Sequence, residues 1–387
     1  MTTKETDNEF VAHAYGRFDV ALDKGSGSTL YDESGKKYVD FGSGIGVTAF
    51  GISDEIWKNA VKEQLEKLQH VSNLYYTSPC AKLAKLLCEK TGMKKVFFAN
   101  SGAEANEGAI KFARKYSFDK YGEGRATIIT LENSFHGRTI TTLSATGQDE
   151  FHTTFFPFTE GFKYCPTNDS EALKNMISDD VCAIMIECIQ GEGGVIDITQ
   201  KFADTVKEIA ENNDILIVVD EVQTGNGRTG KYFAYEHLGL KPDIVSTAKG
   251  LGGGLPIGAV LFGEKTADCV TPGTHGSTFG GNPIAAAGAV SIVSRIDGAL
   301  LNEVNEKGEY IRKYLNKIKG VKSVSGKGLM IGIETDKNAG DICKKCLEKG
   351  LLVLTAHNNK VRLLPALNIS YGELDEGLKI LKEAIEE

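Results

Sequence analysis

The chain has 387 residues, 41% hydrophobic and 25% charged, with a formal net charge of −8; these values exclude a fibrous or intrinsically disordered protein, and the length predicts two or three domains. An acidic balance without a Lys/Arg run argues against nucleic acid as a partner, because phosphate binding needs a concentrated cationic surface. The start MTTKETDNEF has no apolar stretch after a basic one and no apolar run is long enough to cross a bilayer, so a cytoplasmic protein without membrane contact is expected. Eight scattered cysteines predict reduced core thiols and not a disulfide framework. Cys343 and Cys346 form the one CxxC, and without a second pair or a neighbouring His at ligand spacing it reads as a helix-face coincidence, so no metal is expected.

In chain order, runs at 29–31 and 37–41 flank a turn at 33–35 and predict a short hairpin. From 54 to about 280, helical periodicity at 54–70, 103–116 and 201–212 alternates with β-branched runs at 95–99, 126–131, 182–187, 215–219 and 244–246. That order predicts an α/β fold: a large domain, 54–282, with a mostly parallel sheet flanked by helices. Amphipathic stretches at 283–297 and 302–319 lead into strands near 321–325, 329–334 and 361–364, then a last helix from Glu373. This part, 283–387, reads as a smaller α+β domain against which the N-terminal segment, 1–53, is expected to pack.

Ligands of open α/β sheets collect beyond the carboxyl ends of the strands. Three strands end in polar strings: Asp220-Glu221-Val222-Gln223, Asn100-Ser101-Gly102-Ala103 and Thr247-Ala248-Lys249-Gly250. Lys249 precedes GLGGGLPIG, whose glycines let backbone approach a planar ligand closely. A lysine that attacks a carbonyl needs an enclosed setting, although a lone lysine there reads more readily as a solvated surface residue. Asp220 closes an apolar strand, where a carboxylate needs a cation such as a protonated pyridine ring nitrogen; taken alone it also reads as a turn acid. Gln223 can meet a phenolic oxygen or only solvent. Ser101 and Glu104 have capping-box spacing, so the N–H groups of Gly102 and Ala103 open a helix able to cradle a phosphate. GNGRTG at 225–230 matches GxGxxG, but aromatics follow instead of a clean helix start, and the preceding acids would repel a pyrophosphate.

Together these residues resemble the class III, ω-amino-acid branch of the fold type I aminotransferases, which use pyridoxal 5'-phosphate. The marks are FFANSGAEANEGAIK, SFHGRT, IECIQGEGG, VVDEVQTGNGRTG, STAKGLGGGLPIGA and HGSTFGGNP, each just beyond a predicted strand. The resemblance implies that Lys249 bonds covalently to the cofactor and then carries protons, that Asp220 holds the ring nitrogen, and that Gly102 and Ala103 bind the phosphate. It also implies that Phe135 stacks on the ring, that Gln223 meets the ring oxygen, and that Thr278, with Ser277 beside the substrate, serves the other subunit's site in a homodimer. Glutamate carries two carboxylates, which call for two arginines. Arg138 and Arg362 match the family positions, and Glu192 matches the acid that neutralises Arg362 when an ω-amine donor binds. The implied reaction passes the distal amine of N2-acetylornithine to 2-oxoglutarate in arginine biosynthesis, with ornithine, succinyldiaminopimelate or 4-aminobutyrate as alternative donors and an aminomutase as the rival of another class. One departure from the family pattern is Gly51-Ile52-Ser53-Asp54-Glu55, where relatives carry a His and a His-Pro pair; Ser53 or Asp54 is left to cap the next helix.

Overall fold

The computed structural model describes residues 1–387. Its central sheet has seven strands, in the spatial order Lys95–Ala99, Gly258–Phe262, Ile244–Thr247, Leu216–Asp220, Val181–Ile186, Thr127–Leu131 and Phe162–Cys165. The four pairings among the last five strands are parallel. Gly258–Phe262 runs antiparallel to both its neighbours. That strand and Phe162–Cys165 were not predicted, so the expected mostly parallel sheet is mixed at one edge. The connection from Thr247 to Gly258 explains the reversal, being too short for the crossover that a parallel strand requires.

Burial follows a period of two along these strands. Leu216 and Val218 pack with Ala109 and Phe112 of the helix Gly102–Tyr121. Ile217 and Val219 face the other way, into the layer that holds Phe202 and Val206 of the helix Gln200–Asn213. A sheet covered on both faces needs apolar residues at every position, which is why VCAIMI and LIVV read as continuous runs.

The N-terminal strands Leu22–Ser26, Thr29–Asp32 and Lys37–Asp40 form an antiparallel sheet that Leu351–Leu352 joins in parallel. A further antiparallel sheet holds Val321–Lys327, Met330–Thr335, Lys360–Leu363 and Leu354–Ala356. The helix Pro283–Val293 packs against Glu55–Leu65 and Ser78–Thr91, so we propose that the boundary of the smaller domain follows this helix instead of preceding it. Asp54 caps Glu55–Leu65 by accepting the Trp57 N–H at 3.1 Å, and Arg295 binds its carboxylate. The helix is shorter than the predicted 54–70.

Arg228, from GNGRTG, is buried and donates to the carbonyls of Leu329 and Pro365, so this glycine string closes a turn under the smaller domain and opens no helix. Cys343 and Cys346 lie one turn apart on Ala339–Lys349, buried and unbridged, and burial pushes both thiols up to about 12. No single helix is long and apolar enough to cross a membrane.

Candidate active site

Beyond the carboxyl ends of the central strands lies a cavity of about 610 Å³, lined by Lys249, Asp220, Gly102, Ala103, Phe135, Gln223 and Arg138. Asp220, the last residue of its strand, is buried. Its Oδ2 accepts from Asn106 Nδ2 at 2.7 Å and meets His136 Nδ1 at 2.8 Å, and its Oδ1 accepts the Val222 N–H at 2.9 Å. These three polar contacts fix the direction of the carboxylate. Asn106 is itself fixed by Ser246 Oγ, which donates to its Oδ1, and by its own bond to the His136 carbonyl at 2.7 Å. Neither Asn106 nor His136 was selected from sequence; their signals were the polar residue one turn into the Gly102 helix and the His of FHGR.

The Gly102–Tyr121 helix begins in the cavity wall. Ser101 Oγ accepts the Glu104 N–H at 3.1 Å. The Glu104 carboxylate reaches past Ser101 to Asn100 N at 2.7 Å and Nδ2 at 2.8 Å, so the predicted reciprocal capping box is replaced by one cap and a brace on the preceding residue. As the first helical residues, Gly102 and Ala103 have N–H groups with no acceptor inside the helix. A Cβ on Gly102 would lie 2.6 Å from Val222 Cγ1, which leaves room only for glycine.

Lys249 follows the strand Ile244–Thr247 with φ +46°, a left-handed conformation uncommon for a side-chain-bearing residue. Burial lowers its ammonium pKa below the ordinary lysine value, against the opposing pull of the Glu192 carboxylate. A second buried acid, Glu187, also lines the cavity and was not picked out from sequence. It accepts the Phe135 N–H at 2.9 Å and the Gly191 N–H at 3.2 Å, and burial pushes its carboxyl up to about 7.

Arg362, on the strand Lys360–Leu363, binds Glu192 through both terminal nitrogens, at 2.8 and 3.2 Å. Gln223 joins them: its Oε1 accepts from Arg362 at 3.0 Å and its Nε2 donates to Glu192 at 3.2 Å. Burial pushes Glu192 upward, but the charge and hydrogen bonds of Arg362, with the Lys249 charge and the Gln223 hydrogen bond, together outweigh it and the carboxyl sits below its ordinary value. Arg138 is exposed and lies over the rings of Phe151, at 4.2 Å, and Phe135, at 5.5 Å. Ser277 accepts from Asn100 Nδ2 at 3.0 Å and from the Gly280 N–H at 2.9 Å. Thr278 is exposed and is not among the residues lining the cavity of its own chain.

The donor set suits a pyridoxal phosphate. A helix N-terminus answers its phosphate, a buried carboxylate answers a cationic ring nitrogen, an aromatic ring answers its face, and an amine of lowered pKa answers its carbonyl.

The profile described as aminotransferase class-III matches residues 10–385. The chain belongs to the class III aminotransferases. As a class III aminotransferase it is an α/β enzyme of fold type I that depends on pyridoxal phosphate. It is 52% identical to the acetylornithine aminotransferase of Haemophilus ducreyi over 99% of this chain and 98% of that protein. It is 48% identical to the acetylornithine aminotransferase of Caldanaerobacter subterraneus over 98% of each. Among solved structures, the ornithine aminotransferase of Toxoplasma gondii superposes with a TM-score of 0.95 at 31% identity, covering 100% of this chain and 96% of that one. The N-acetylornithine aminotransferase of Stenotrophomonas maltophilia gives 0.85 at 35%, covering 99% and 98%.

Proposed function

We propose that this aminotransferase moves the distal amine of N2-acetylornithine to 2-oxoglutarate, giving N-acetylglutamate 5-semialdehyde and glutamate, a step of arginine biosynthesis. The observation that carries the reading is the arrangement of the two arginines: Arg362 is neutralised by Glu192, whereas Arg138 is left open at the cavity. A donor that reacts through its distal amine brings one carboxylate, so one guanidinium must be available and the other masked. Glutamate brings two, and a masked arginine can be released for the second.

Bound pyridoxal phosphate supplies the carbonyl that takes up the amine and a ring that stabilises the negative charge left on carbon when a proton departs. Lys249 Nζ, whose charged form is disfavoured by burial, removes that proton and returns it. The Asp220 carboxylate holds the ring nitrogen in its charged form, and His136 and Asn106 fix the carboxylate. The Gly102 and Ala103 N–H groups bind the phosphate, Phe135 covers the ring, and the remaining Gln223 Nε2 hydrogen serves the ring oxygen. Arg138 takes the α-carboxylate of acetylornithine or the side-chain carboxylate of glutamate, and Arg362, freed from Glu192, takes the α-carboxylate of glutamate.

The assembly we propose is a homodimer with shared sites. Leu74, Tyr75, Tyr76 and Phe279 are exposed, and the last of them adjoins Thr278. A second copy covering that surface would bring Thr278 to the neighbouring phosphate and Ser277 beside the neighbouring substrate.

A steady-state comparison of acetylornithine, ornithine, succinyldiaminopimelate and 4-aminobutyrate, each with 2-oxoglutarate, tests the reaction. Acetylornithine is expected to give the highest kcat/KM, with glutamate as product. Preference for ornithine by more than about tenfold, or about 1.4 kcal/mol in the transition state, would overturn the donor assignment. Borohydride trapping and peptide mapping should place the cofactor on Lys249, and an adduct elsewhere would overturn the chemistry.

A further inference from the structure

Arg138 and Arg362 are held in opposite ways. Arg362 spends both terminal nitrogens on Glu192 and one of them also on Gln223. Arg138 has no carboxylate or carbonyl partner within the chain; its guanidinium lies 4.2 Å from the centre of the Phe151 ring and 5.5 Å from that of Phe135. Phe151 ends the short turn Asp149–Phe151 and is half-buried, and its ring meets Phe135 edge-on with centroids 6.2 Å apart.

The kind of contact decides what the guanidinium can still do. A carboxylate seat would occupy the fork that a substrate carboxylate needs. An aromatic face attracts the cation through its quadrupole while leaving the five N–H donors unused. A long arginine at an exposed cavity mouth would otherwise sample many rotamers and give up that freedom on each binding event. Phe135 is already committed to the cofactor ring, and Phe151 lies nearer to the guanidinium.

We propose that Phe151 is a positioning residue for substrate binding: its ring seats Arg138 with the hydrogen-bonding edge of the guanidinium open to the substrate carboxylate. This deepens the proposed function and rests on its assignment of Arg138 to carboxylate binding.

The holoenzyme variants F151L, F151Y, F151A and R138Q test it through KM and kcat for 2-oxoglutarate and acetylornithine. Their half-reaction with n-butylamine, which carries no carboxylate, serves as the internal control. F151L keeps apolar bulk but has no ring, and is expected to raise KM for both carboxylate substrates by about twofold to fivefold, the range of a cation–π contact at an exposed site. Its kcat and its butylamine half-reaction should stay within about twofold of wild type. F151Y keeps a ring and should restore wild-type KM, and F151A should behave as F151L or worse.

Wild-type KM in F151L would overturn the proposal, as would a fall in the butylamine rate as large as the rise in KM, because either outcome reduces Phe151 to packing. R138Q separates the two levels of the argument. If R138Q raises KM and F151L does not, the seat is wrong and the carboxylate role of Arg138 stands. If R138Q leaves KM unchanged, the reading of Arg138 fails and takes the seat with it.

Discussion

Glu192 has two tasks that compete. Its charge masks Arg362, and burial of that charge would be unfavourable if Arg362 did not hold it. E192Q keeps the shape and removes the charge, which releases a guanidinium bond of about 1.5–3 kcal/mol. The half-reaction with glutamate should therefore gain on that with acetylornithine by about tenfold or more in relative kcat/KM, measured by stopped-flow absorbance of the cofactor. An unchanged ratio would show that Glu192 is not the mask. Glu221 poses a question of stability instead. It is fully buried beside Thr224 and the Tyr235 N–H, and burial pushes its carboxyl up to about 7 from an ordinary 4.5. Between those values the folded chain keeps a proton that the unfolded chain has released, so this group's contribution to stability falls as pH rises through the window. E221Q does not titrate, and its Tm should improve relative to wild type between about pH 5 and about pH 8; a constant difference would place the proton elsewhere. Of the residues lining the cavity, Lys249, Asp220, Gln223, Gly102 and Ala103 were picked out beforehand, from the polar strings that end the strands. Glu187, Asn106, His136 and Phe151 were not selected, because a buried acid or amide and a half-buried ring look ordinary until their partners are known.

At the scale of elements, the strand ends line one cavity. Asp220, Ser101 and Lys249 each follow an apolar run whose length and composition mark a buried strand, and this is why the cavity was legible at all. The helix after Ser101 adds a requirement of shape. In G102A the new Cβ would meet Val222 at 2.6 Å, and relieving it shifts the turn whose N–H groups face the cavity. Overpacking of this kind costs about 1–3 kcal/mol, so G102A is expected to lose pyridoxal phosphate faster on dialysis, followed by cofactor absorbance. Retention equal to that of wild type would remove Gly102 from the phosphate site. The strand Gly258–Phe262 was not predicted, and its reversal is not legible in GAVLF, which has the composition of its parallel neighbours. Direction is set by the length of the connection and not by the side chains.

The whole molecule depends on surfaces as much as on its core. Leu74 and Tyr76 are among the most exposed apolar side chains of the chain, and contiguous patches of that kind mark association surfaces. The double variant L74E/Y76E is expected to sediment as a monomer and to lose most of its activity, since Thr278 would then serve no neighbouring site. A fully active monomer would contradict the shared-site reading. Inside the chain, Arg228 connects the turn at 225–230 to Leu329 and Pro365, so a loop that follows the central strand Leu216–Asp220 is fastened to the smaller sheet region. The family, the cofactor and the polar residues at the strand ends were determined by the sequence itself, because hydrophobic period and local motif chemistry are properties of neighbouring residues. The bidentate geometry of the Glu192–Arg362 pair, the placing of Arg138 over Phe151 and the Asn106–Asp220–His136 cluster were decided only by the tertiary structure. Such contacts depend on how separate elements pack in three dimensions, and no linear spacing encodes the distance between them.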